Sequence, residues 1–135
     1  MSTIEQQIKS HVRSIRSAHI DQWATSFENN DLAIMSGVLP RAVEDEFVAE
    51  ARRLIDEAGQ RRETTIEESG NTPRAYDSVG RDTIRAQGSA IPAVFDSAAF
   101  VDFLSSVAGE RLHPVPYAPE EFIINRQSKP KDTHG

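Results

Sequence analysis

Residues 112–135 read LHPVPYAPEEFIINRQSKPKDTHG, and the rest of the chain is arranged around this stretch. Pro114, Pro116 and Pro119 fall within six residues, which favours an extended course and removes backbone donors. Glu120 and Glu121 follow. Phe122-Ile123-Ile124-Asn125-Arg126 is then a short β-prone run that predicts a largely buried strand. A polar turn at 128–131 leads to Asp132-Thr133-His134-Gly135. A strand and loop leading to a histidine have the form of half a site.

Working outward, the 135 residues are enough for one domain with a real core and too few for two, so a single domain over 1–135 is expected. Net charge is −6, which disfavours nucleic acid as a general partner, because phosphate contacts need a basic footprint. There is no cysteine, which excludes disulfides, thiolate zinc sites and thiol nucleophiles. No apolar run approaches the roughly 18–20 residues of a membrane span, and Met1-Ser2-Thr3-Ile4-Glu5 opens no signal peptide. A cytoplasmic protein without a membrane partner is the expectation.

In chain order, Ile4, Ile8, Val12 and Ile15 mark one face of a helix over 3–17. Ile20, Trp23, Ala24 and Phe27 continue a helical pattern until Glu28-Asn29-Asn30-Asp31. The nearly unbroken apolar run Leu32 to Leu39 predicts a buried strand. Pro40 starts the clearest helix, with Val43, Phe47, Val48, Ala51, Leu54, Ile55 and Ala58 as its stripe and Gly59 as its stop. The charges of that helix read as a solvated face. Residues 61–68 predict an edge strand or extended segment, 69–73 a turn-rich loop, and 74–79 an extended segment. A short helix over 81–87 ending at Gly88 precedes the apolar patch Ile91 to Phe95. Asp96 or Ser97 then caps a second clear helix, which carries Phe100, Val101, Leu104 and Val107 and stops at Gly109.

Three residues could carry chemistry. Arg74 follows the Gly70-Asn71-Thr72-Pro73 loop, and its planar guanidinium would suit a bidentate grip on a carboxylate; a surface arginine is the alternative. Glu120 stands where an inward carboxylate could pair with a cation, against a solvated acid at a strand entrance. His134 could be a ligand, a base or a hydrogen-bonding wall, against a loose tail. His11 and His19 read as packing or boundary residues, and no local metal motif, phosphate loop, HExxH or GxSxG is present.

The segments SGNTPR (69–74), VPYAPEEF (115–122) and KPKDTHG (129–135) resemble the N-terminal half of non-haem iron(II)/2-oxoglutarate-dependent oxygenases that act on free amino acids. The resemblance is to the lysine-type radical halogenases and their hydroxylase relatives, and it covers essentially the whole chain. It implies an α+β fold in which N-terminal helices lead into the first strands of a double-stranded β-helix, a cupin-like jelly roll. It implies Arg74 as the clamp on the substrate's carboxylate, Glu120 as the reader of its cationic end, and His134 as a pocket contact. In that family a Thr-His-Gly sequence runs into His-x-Asp in hydroxylases or His-x-Gly in halogenases, and residues 1–135 stop before that motif. The resemblance therefore implies a fragment or truncated form of an enzyme that hydroxylates or chlorinates a free basic amino acid such as lysine at an unactivated carbon. Iron(II), 2-oxoglutarate and, for a halogenase, chloride are the implied cofactors. No catalytic, cofactor-binding or metal-ligating residue is assigned within 1–135, so the chain alone is expected to bind iron poorly and to be inactive. Self-association, or pairing with a missing C-terminal half, is expected. The competing reading is a small acidic α+β binding protein without catalysis.

Overall fold

A computed structural model describes residues 3–64, 74–114 and 122–128. Nine elements follow in order: α1 (Ile4–Arg13), α2 (Ser17–Asn30), α3 (Arg41–Ala58), β1 (Gln60–Thr64), β2 (Arg74–Val79), α4 (Arg81–Gln87), α5 (Ala90–Phe95), α6 (Ala98–Ala108) and β3 (Ile124–Ser128). Helices with a small antiparallel sheet make the chain α+β. It divides into two compact units, residues 1–48 with 90–114, and residues 49–89 with 115–135.

The first unit is helical. Thr3 opens α1 with a capping box: its hydroxyl accepts from the Gln6 amide at 3.1 Å, and the Gln6 carboxamide accepts from the Thr3 amide at 3.0 Å. The predicted stripe is the buried one. Ile8, fully buried, packs with Val43 and Val94, and Ile4, Val12, Leu39, Phe47 and Phe100 close around them. A second cluster joins Val38, Phe103 and Val107 to Ile15, Ile20, Trp23, Met35 and Leu104. Helix α2 ends at Asp31, which takes a left-handed conformation (φ 58°) while its amide donates to the Phe27 carbonyl at 2.8 Å.

The run Leu32 to Leu39 is not a strand. It has no regular structure, Gly37 turns it with φ 71°, and the sheet takes no strand from it. Ala33 and Met35 turn inward, whereas Leu32 and Ile34 are 60% and 83% exposed. An unbroken apolar run carries no period, so sequence alone does not distinguish a buried strand from a connector with alternate residues anchored in a helical core.

The second unit holds the later half of α3, the sheet and α4. Strand order is β1-β2-β3, with both neighbouring pairs antiparallel. Its buried apolar side chains are Leu54, Ile55, Ala75, Val79, Ile84 and Phe122. Of the edge strand expected over 61–68, residues 61–64 belong to β1 and 65–68 lie outside the described residues; the extended segment at 74–79 is β2. The expected buried strand at 122–126 is corrected. β3 begins at Ile124 and runs to Ser128; Phe122 before it is buried, but Ile123 is 50% exposed, and Asn125 and Arg126 are exposed. An antiparallel edge strand buries at most one face, so a strand read as largely buried emerges mostly exposed.

Candidate functional site

The two faces of the sheet differ in chemistry, and register assigns every residue to one of them. Arg61 pairs across the ladder with Asp77, and Asp77 with Arg126, on the face that also carries the buried Ala75 and Val79. On this face the charges are matched. Arg126 donates from Nη1 to Asp56 Oδ1 of α3 at 2.6 Å and from Nη2 to Asp77 Oδ2 at 3.3 Å. Arg61 donates to Glu63 Oε1 at 3.4 Å and stands 3.9 Å from Asp77 Oδ1. The hydrogen bond to Asp56 first, then that to Asp77, holds the Arg126 guanidinium above its ordinary value. A raised cation stabilises fully below its unfolded pKa and loses that contribution only as pH rises through the folded one. The network therefore gives no pH dependence through Arg126 anywhere near neutrality.

The opposite face is different. Its rows are Gln60, Ser78 and Asn125, then Arg62, Tyr76 and Gln127, then Thr64 with Arg74. Among the described residues it carries two arginines and no carboxylate, in a chain whose net charge is −6. Arg74 is the first residue of β2, placed opposite Thr64 of β1. Sequence reasoning had singled out Arg74 and missed Arg62, Tyr76 and Gln127. The available signal was the alternation of Arg74-Ala75-Tyr76-Asp77-Ser78-Val79, in which every second residue is polar and belongs to one face.

Glu120 and His134 lie outside the described residues, so among the three predicted site residues only the backbone position of Arg74 is fixed. His11 is tied locally: its Nε2 lies 2.7 Å from the Gly37 carbonyl oxygen, to which it donates. The His19 ring sits 6.0 Å from Trp23. Among the described residues, no group of three or more His, Cys, Asp or Glu could hold a metal ion. No helix among them is long and apolar enough to cross a membrane. The helical unit contains an open, largely apolar cavity of about 260 Å³ between Phe27, Leu32, Met35, Leu104, Val107 and Leu112, with Asp31 in its wall.

The family model described as Halogenase D matches residues 15–135, nearly the whole chain. The chain belongs to the halogenase D family. The match reaches into both compact units, beginning after α1 and taking in α2 through β3. A search of curated proteins finds no match. A halogenase-related function follows from the family; substrate and cofactors do not.

Proposed function

We propose that the chain is the substrate-binding part of a halogenase D family oxygenase that acts on a free basic amino acid, lysine or a near relative. The observation that carries this reading is the family match over residues 15–135, taken with an arginine at the head of β2 on a face whose described residues include no carboxylate. The cofactors proposed are iron(II) and 2-oxoglutarate, with chloride for halogenation; when bound, this set supplies the radical chemistry at an unactivated carbon. The described residues do not fit the metal, so no iron ligand is assigned among them. The helices and three strands would then be the wall and first strands of a jelly roll.

The protein's part is recognition. A free basic amino acid has a carboxylate at one end and a cation at the other, so its pocket needs one fixed positive and one fixed negative group. Arg74 is proposed for the carboxylate, where a planar guanidinium gives two parallel hydrogen bonds. Glu120 is proposed for the cationic end and His134 for a hydrogen bond to the substrate.

The test is amino-acid binding to the full-length protein by calorimetry. Arg74→Lys keeps the charge but loses the bidentate geometry, and should weaken every amino acid alike. Glu120→Gln should weaken cationic amino acids and spare neutral ones. Charge-assisted hydrogen bonds contribute about 1.5–3 kcal/mol, so each loss should be roughly ten- to a hundredfold in affinity. Unchanged lysine affinity in both variants would sink the assignment.

A further inference from the structure

We propose that the substrate carboxylate is held by two arginines rather than one, Arg62 of β1 being the second, with Tyr76 and Gln127 completing a hydrogen-bonding row beside it. This rests on the reading of Arg74 given above. It adds a specificity-determining row that sequence spacing did not reveal.

The register places it. Arg62 lies directly opposite Tyr76, and Tyr76 directly opposite Gln127, so the three form one row across all strands of the sheet. Arg74 pairs with Thr64, two residues along β1 from Arg62, which makes positions 62 and 74 diagonal neighbours on the same face. Diagonal neighbours in an antiparallel pair stand about 7–8 Å apart, within reach of two guanidiniums on flexible stems closing on one carboxylate.

Charge gives the second argument. On the Ala75/Val79 face, Asp56, Asp77 and Glu63 lie within ion-pair distance of Arg61 or Arg126. On the other face the positions 60, 62, 64, 74, 76, 78, 125 and 127 hold Gln, Arg, Thr, Arg, Tyr, Ser, Asn and Gln. From the neighbouring row the neutral Gln60 Oε1 accepts from the Arg62 guanidinium at 3.5 Å, a long contact, and among the described residues no carboxylate is in ion-pair distance of Arg62. Tyr76 is half-buried between two exposed neighbours, and its phenol adds a hydroxyl donor to the row. A face with two arginine positions and, among the described residues, no acid selects a carboxylate, and it selects against the neutral carboxamide of the same amino acid.

The probe pair is therefore lysine and lysinamide, with binding to the full-length protein measured by calorimetry. In the parent protein lysine should bind far more tightly than lysinamide. Arg62→Gln should lower the lysine-to-lysinamide affinity ratio about tenfold, Arg62→Lys should recover part of it, and Tyr76→Phe should lower it about threefold. If Arg74→Lys lowers the ratio while Arg62→Gln leaves it within about twofold, the second arginine is refuted and the reading of Arg74 stands. If neither substitution moves the ratio, the reading of Arg74 itself is refuted, and this inference with it. Arg62 is exposed on an edge strand, so thermal melting of each variant should match the parent; an Arg62→Lys variant that melts with the parent yet recovers nothing also overturns the proposal.

Discussion

At the scale of single residues, Glu50 departs most from what its neighbours suggest. It sits in a helix whose acids read as solvated, yet it is only 8% exposed. Its Oε1 accepts from the Ser89 amide at 2.6 Å and from the Ser89 hydroxyl at 3.2 Å, which gives the buried carboxylate two donors. The spacing was there to be seen, because 43, 47, 50 and 54 fall on one helical stripe, but a glutamate on an apolar stripe has no sequence mark for its partner. Gly88 is part of the same arrangement. A Cβ there would lie 2.6 Å from the Ile84 carbonyl oxygen and 2.9 Å from Glu50 Oε2. Gly88→Ala should therefore destabilise by about 1–3 kcal/mol through overpacking. Glu50→Ala should cost a similar amount by leaving the Ser89 amide without its charged acceptor. Chemical denaturation measures both, and because the two share one contact, the double variant should cost less than the sum. Strict additivity would show that the carboxylate and the glycine do not act together.

At the scale of elements, α6 is held at its start by two acceptors of very different origin. Ser97 accepts from the Phe100 amide at 3.1 Å, the cap its position before an apolar helix predicts. Glu5 of α1, ninety-four residues away, accepts from the Ala99 amide at 3.0 Å. Ser97→Ala should cost about 0.5–2 kcal/mol, the ordinary range for a lost cap. Glu5→Ala should cost a comparable amount, and Glu5→Gln less, since the amide oxygen still accepts; amide hydrogen exchange at Ala99 and Phe100 reports each bond separately. Equal protection of Ala99 in the parent and Glu5→Ala would show that the long-range cap is not made in solution. The pair also shows what a sequence carries. Local signals were legible: Pro40 and Gly59 around α3, Asp96 or Ser97 and then Gly109 around α6, and the 81–87 helix stopping at Gly88. Partners distant in sequence were not. The Leu32–Leu39 run needed a strand to pair with and met helices, and the 122–126 run needed cover on both faces and became an edge. The candidate site divides the same way. Arg74 was visible from its loop, whereas Arg62 and Gln127 belong to it only through cross-strand register.

At the scale of the whole molecule, α3 is the one element shared by both compact units, with residues 41–48 in the first and 49–58 in the second. Helix formation is cooperative, so the loss of packing along one half of a continuous helix weakens the other half through the backbone itself. The chain supplies a convenient reporter, because its only tryptophan, Trp23, lies in the first unit, edge-on to Phe103 at 6.1 Å between ring centroids. Ile8 is fully buried in that unit and Leu54 in the other. Truncating either to alanine removes a buried aliphatic side chain and should cost about 2–5 kcal/mol in the unit that contains it. If α3 couples the units, Leu54→Ala should also shift the Trp23 fluorescence transition in denaturant, in step with circular dichroism, despite lying in the unit without the tryptophan. Should the Trp23 midpoint stay at the parent value while circular dichroism develops an earlier phase, the units unfold independently, and the shared helix joins them without making them one cooperative structure.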